Sequence, residues 1–244
     1  MKDIQSQIDH RRIDIKKVGV KTITYPITVL DKSQKKQKTI ATVNMYVNLP
    51  HHFKGTHMSR FIEILNRFHG RIDLKRFRTI LEEMKEKLDA EAAHVEIAFP
   101  FFLHDTNGRD DFQVRKYDCA MHCLLEDDDD LRLDIVVPVA HPFTDNSLSG
   151  RTDVFGLWGN VSVSVRFKKF MWLEDLIGIV ETTISKESSE DHKTNIAEKP
   201  MESLLESLVK RFEKLPELKW YSITVENISQ GYSLFATLSS ADTQ

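Results

Sequence analysis

Apolar positions along the chain change period several times, and each change marks an element. Residues 18–30 are rich in β-branched and aromatic side chains. Over 39–49, Ile40, Thr42 and Asn44 alternate with Ala41, Val43 and Met45, the period of a strand with one buried face. The polar, basic connection 31–38 reads as a solvated turn, making the two a hairpin. The spacing then lengthens. Phe61, Ile64, Leu65 and Phe68 predict one helix; after Gly70, Leu74, Phe77, Leu81, Met84 and Leu88 predict a second, with Asp73 as its N-cap. Strands return over 95–102 and 112–125.

The acidic run 126–130 reads as a hairpin tip leading into a strand through Leu131, Leu133, Ile135 and Val137. Strict alternation at Val161, Val163 and Val165 predicts the next strand. Leu173, Leu176, Ile177, Val180 and Ile184 form one helical stripe, and Leu204, Leu205, Leu208, Phe212 and Leu215 another, with 186–200 as a polar connection. Strands over 220–225 and 232–238 close the chain. The order strand, strand, helix, helix, strand thus occurs twice, which predicts an α+β protein of two similar modules, each an antiparallel sheet with helices on one face. The expected division is an N-terminal extension over 1–15, a first module over 16–110 and a second over 111–244. Each module leaves a sheet face and two edges uncovered, so an oligomeric barrel closed by several modules is expected, with sites where modules meet.

Composition narrows the function. The 244 residues are 41% apolar and 29% charged, the balance of a globular chain with a sizeable core. No stretch reaches the roughly 18 apolar residues of a spanning helix, and the first residues lack the apolar centre of a signal peptide, so a cytoplasmic protein is expected. A net charge of −3 supplies no field for gripping a polyanion, which removes nucleic acid as the default partner.

Cys119 and Cys123 share one face of a strand while His122 points to the other, so packed thiols are expected rather than a metal site. Asp127 to Asp130 lack the glycine and distal glutamate of a calcium loop and read as a turn. The stretch 50–61 joins a strand to a helix and carries Lys54, His57, Ser59 and Arg60. Their donors, with the free N–H groups of a helix start, could hold phosphate oxygens; a simple N-cap with basic neighbours is the alternative.

The same stretch carries a resemblance. Lys54-Gly55-Thr56-His57-Met58-Ser59-Arg60-Phe61 resembles the K-G-T-H-M-S-R-F segment of type IB GTP cyclohydrolases. Val18-Gly19-Val20-Lys21, Tyr25-Pro26-Ile27-Thr28, Phe99-Pro100-Phe101-Phe102, Tyr117-Asp118, Pro138-Val139 and Val180-Glu181-Thr182 are similar to that family in the same order. The resemblance implies tandem tunnelling-fold modules in a homotetramer. It also implies hydrolysis of GTP at C8 of the purine, releasing formate and forming 7,8-dihydroneopterin triphosphate for folate-type pterins, with zinc or iron activating water. Glu206 is similar to a family glutamate and is the candidate catalytic carboxylate; Glu226 is similar to one near the guanine-binding strand. A carboxylate accepting two purine N–H groups would recognise a guanine or a pterin.

The metal-ligand elements depart from the family pattern. Laid on it without a gap, the cysteines of the C-P-C element fall on Phe143 and Asp145, and the histidine of A-H-N-Q-R falls on Phe155. A shift that uses His141-Pro142 recovers one imidazole, whereas Trp158-Gly159-Asn160 offers no replacement for the other. The third element is shortened, leaving Glu190, Asp191 and His192 as nearby donors, and Ser229-Gln230-Gly231-Tyr232-Ser233 stands where the family has a terminal H-N-H. The leading expectation is a family member with impaired or lost catalysis, possible loss of the metal, and a retained purine- or pterin-sized pocket. The alternatives are a metal site rebuilt from His141, Asp145 and Glu190 or its neighbours, and a non-catalytic partner subunit.

Overall fold

A computed structural model describes residues 17–33, 35–49, 57–67, 74–104, 114–142, 155–189, 201–228 and 232–241, except for the side chains of 74–76, 104, 140–142, 155–158 and 187–189. Among them the order is β1 (Val18–Asp31), β2 (Lys35–Asn48), α1 (Met58–Arg67), α2 (Leu74–Leu88), β3 (Ala92–His104), β4 (Val114–Leu125), β5 (Asp129–Pro142), β6 (Phe155–Phe167), α3 (Leu173–Ser189), α4 (Met201–Phe212), β7 (Leu218–Ile228) and β8 (Ser233–Ser239). The protein is α+β, and strand neighbours follow chain order from β1 to β8. Two compact units are present: Met1–Phe101 with Cys119–Leu133, and Phe102–Asp118 with Asp134–Gln244.

In the first unit, alternation along the strands decides the core. Val43, Met45 and Val47 of β2 pair with Ile97, Val95 and Ala93 of β3, and all six are buried. Phe61, Ile64 and Leu65 of α1 and Phe77, Ile80, Leu81, Met84 and Leu88 of α2 supply the buried stripes of the helices. Each such large side chain taken from water contributes about 2 kcal/mol, offset by the entropy of ordering it. The residues between the buried ones on β2 and β3 face the other side of the sheet, where polar side chains collect.

The β1–β2 hairpin is longer than the pattern implied. Only 32–34 connect the strands, and Lys36, Gln37 and Lys38, read as part of the turn, pair with Leu30, Val29 and Thr28. The reason is Asp31, which is 3% exposed and accepts hydrogen bonds from the backbone N–H and hydroxyl of Ser33, both at 2.9 Å, and from Gln37 Nε2 at 3.3 Å. A carboxylate that bonds the backbone two residues on folds a tight turn by itself. Solvated lysines are admissible in a strand wherever its outer side faces water.

The second unit follows the same rule. Val161, Val163 and Val165 of β6 oppose Val225, Ile223 and Tyr221 of β7, all buried, with Leu176, Ile177 and Val180 of α3 and Leu205, Leu208, Val209 and Phe212 of α4 completing that core. The polar connection expected from 186 starts later, because α3 continues to Ser189. β8 is an edge strand with little cover: Leu234, Phe235 and Leu238 are exposed, Phe235 to 70%.

Candidate functional site

Glu226 lies on β7, directly across from Asn160 of β6. Its neighbours Val225 and Ile223 are buried, so the pleat turns Glu226 to the opposite, open face of the second unit. The same face carries Ser162 opposite Thr224, Ser164 opposite Ser222, and Arg166 opposite Trp220, with the guanidinium 4.8 Å from the indole centroid. Thr224 and Thr237 share a hydrogen bond of 2.8 Å between their hydroxyls, and Ser239 donates to Ser222 at 2.7 Å. Glu226 is the carboxylate of this row, half-buried between its cross-strand partners Asn160 on β6 and Phe235 on β8. The two oxygens of a carboxylate placed there can accept from paired ligand N–H donors.

The N-terminal end of α1 places the second group of candidates. The carbonyl of His57 accepts from the backbone N–H of Arg60 at 3.1 Å, so His57 stands at the cap of the helix. Ser59 and Arg60 are exposed on the first turn, and Arg60 Nη1 donates to the carbonyl of Lys87 at 2.9 Å. That bond satisfies a carbonyl at the C-terminal end of α2, a structural duty for a side chain expected to bind phosphate. Lys54 lies outside the described residues. Glu206 is on an exposed face of α4, 3.8 Å from Lys210 one turn on, with both side chains about seven-tenths exposed.

A polar group that the sequence reading did not single out occupies the open face of the first unit. Asn44 Nδ2 donates to Glu96 Oε2 at 3.0 Å, and Tyr46 Oη donates to Glu96 Oε1 at 2.7 Å. Asn44 Oδ1 accepts from the backbone N–H of Thr22 at 2.9 Å, and Thr22, β-branched, has φ +58° where β1 slips its register against β2. A β-branched residue in the left-handed region is strained, and the side chain of Asn44 satisfies the N–H that the bulge turns out of the ladder. The His94 ring stacks on Tyr46, with centroids 4.5 Å apart, and Lys17 Nζ sits 4.7 Å from the Tyr46 centroid. Burial and the bond to Glu96 push the Tyr46 phenol up to about 12. Burial alone would raise Glu96, but the bonds from Asn44 and Tyr46, with His122 and Lys21 nearby, outweigh it and hold the carboxyl below its ordinary range. The signal was present in the alternation: Asn44, Tyr46, His94 and Glu96 are the polar positions between buried ones.

The donor chemistry bears on the metal that the resemblance implies. Cys119 and Cys123 are buried on the core side of β4, and burial, then Asp130, pushes the Cys123 thiol far up, so Cys123 is no ready thiolate. Among the described residues no three histidine, cysteine, aspartate or glutamate side chains converge as a metal-binding group. Of the candidates, Asp145 and Glu190 lie outside the described residues, and His141 ends β5 with its side chain outside them. The described side chains therefore do not fit a metal by themselves.

The α+β architecture with two compact units is that of a tunnelling-fold protein, and solved structures similar to it share the fold: a uricase from Bacillus fastidious, TM-score 0.56 at 9% identity over 92% of each chain, and urate oxidase from Bacillus subtilis 168, TM-score 0.55 at 9% identity over 92% of this chain and 98% of that one. At that identity the likeness is one of fold. The family model described as type I GTP cyclohydrolase folE2 matches residues 1–146. The chain is 44% identical to GTP cyclohydrolase FolE2 of Syntrophus aciditrophicus over 93% of its own length and 94% of that protein's, and 40% identical to GTP cyclohydrolase FolE2 of Syntrophobacter fumaroxidans over 93% of each. This chain belongs to the FolE2 family of type I GTP cyclohydrolases. The expectation that it is a divergent member lacking its metal ligands finds no support in these matches. No helix of the described residues is long and apolar enough to cross a membrane.

Proposed function

We propose that the protein is an active GTP cyclohydrolase, converting GTP and water to formate and 7,8-dihydroneopterin triphosphate. The observation that carries this reading is the 44% identity to a GTP cyclohydrolase FolE2 along 93% of the chain. An impaired enzyme, a hydrolase of some other purine and a non-catalytic subunit are not favoured by such a match. Glu226 accepts from N1–H and the 2-amino group of guanine, the role its open-face setting on β7 supports. Lys54, His57, Ser59 and Arg60 are the donors for the phosphate oxygens. Glu206 is the candidate for proton transfer. His141, Asp145 and Glu190 are the N/O donors for zinc or iron, which when bound would supply an activated water.

The chain works as a homo-oligomer, with four copies the family expectation. The support is β8, an edge strand whose Leu234, Phe235 and Leu238 stand in water with Tyr232 just before it, an apolar edge that a second chain would cover. A cytoplasmic location goes with this reading. The test is incubation of metal-replete protein with GTP, following formate and pterin fluorescence, with a His141→Ala control. Product formation that falls with the substitution supports the reading, and inactivity of the metal-replete protein contradicts it.

A further inference from the structure

The placement of Glu226 depends on a residue without a side chain. Gly159 of β6 pairs with Asn227 of β7, and a Cβ built on it would lie 1.7 Å from the Glu226 carbonyl oxygen, 2.7 Å from its carbonyl carbon and 3.0 Å from the Asn227 Cα. All three are backbone atoms, so no side-chain rotation relieves the clash; the strands themselves must part. An ordinary strand carries side chains throughout, and a glycine within one marks a close backbone approach. Here the approach is to the backbone of Glu226, the guanine anchor proposed above.

We infer that Gly159 is a positioning residue that sets the selectivity of the site for guanine over purines lacking the 2-amino group, by letting β6 close on the Glu226 peptide. This rests on the anchoring role proposed above for Glu226. A carboxylate meets two parallel N–H donors only in one plane and at one depth, and a group built to accept a substrate N–H discriminates strongly against an analogue without it. Parting the strands tilts the Glu226 peptide, and the side chain swings with it. Asn160, the direct partner of Glu226, moves in the same shift.

The test measures kcat and KM for GTP and for inosine triphosphate, which lacks the 2-amino group, in four variants, with thermal stability of each. Glu226→Gln should abolish the preference for GTP; if the preference persists, the anchoring role fails and the inference with it. With that role upheld, Gly159→Ala should lower the preference about tenfold or more, chiefly through KM for GTP. Gly19→Ala is the control in the other unit, where a Cβ would lie 2.0 Å from the Met45 carbonyl oxygen, and it should leave the preference unchanged. A folded Gly159→Ala protein with the wild-type preference, or an equal loss in Gly19→Ala, overturns the inference. Glu226→Asp moves the carboxylate back by one methylene without touching the strand contact, so it tests placement even if Gly159→Ala does not fold. It should lose preference about tenfold or more, and an unchanged preference shows that placement does not set selectivity.

Discussion

The phenol of Tyr117 on β4 donates to Glu181 Oε1 on α3, and Arg115 Nη1 donates to the same oxygen at 2.6 Å. Tyr117 is 1% exposed, so its hydroxyl is taken from water and depends on this carboxylate. A buried donor stripped of its acceptor costs more than the bond is worth when made. Glu181→Ala is therefore expected to destabilise the protein by about 2–3 kcal/mol and Tyr117→Phe by about 1 kcal/mol, the smaller loss because the phenylalanine leaves no orphaned hydroxyl. Urea denaturation checks both, and equal losses would show that the acceptor is not the limiting partner.

The Glu96 group predicts an acid-sensitive fold. Its folded-state pKa is depressed, so the stability it contributes is present above the unfolded value and is lost as pH falls through the folded one. His94, lowered chiefly by burial and by Lys17, works in the same sense, since the unfolded chain takes up a proton first as pH falls. Tyr46, raised to about 12, contributes at the other end: its share is present below the ordinary phenol range and is lost as pH climbs toward 12. Glu96→Gln should flatten both limbs of the stability profile. Unfolding midpoints measured across pH decide the matter, and an unchanged acid limb would rule Glu96 out.

Cys119 and Cys123 should resist thiol reagents in the native protein and react once it is unfolded, because both are buried and the Cys123 thiolate is disfavoured by burial. Titration with a chromogenic disulfide before and after denaturant reads this directly. Rapid native reaction of both thiols would show that β4 opens far more readily than its packing allows.

Glu206→Gln separates surface from chemistry. The exposed pair with Lys210 contributes at most about 0.5 kcal/mol, so the melting temperature should hardly move. A proton-transfer role predicts a fall in kcat of about 100-fold with little change in stability. A kcat within twofold of wild type would remove Glu206 from the mechanism.

Much of the fold was legible because burial imposes a period that sequence alone reveals. Val161, Val163 and Val165 could only be a half-buried strand, and the stripe through Phe77, Leu81, Met84 and Leu88 could only be a helix lying on a sheet. Element ends were less legible, since Asp31 folds the hairpin with three side-chain contacts that no periodicity encodes. The site divides the same way. Glu226 was found through a resemblance, and its open-face setting follows from the pleat. Gly159 was passed over as one residue of a ligandless stretch because a glycine in a strand announces close approach only when the opposite backbone is known. The Asn44, Tyr46 and Glu96 group was missed because its members are far apart in the chain and only strand register brings them together.

Turnover of GTP by the metal-replete protein is the most direct measurement of all. The account predicts formate and a fluorescent pterin triphosphate formed in equal amounts, with the preference for GTP over inosine triphosphate lost in Glu226→Gln. A protein that binds its metal and GTP yet releases no formate would contradict it.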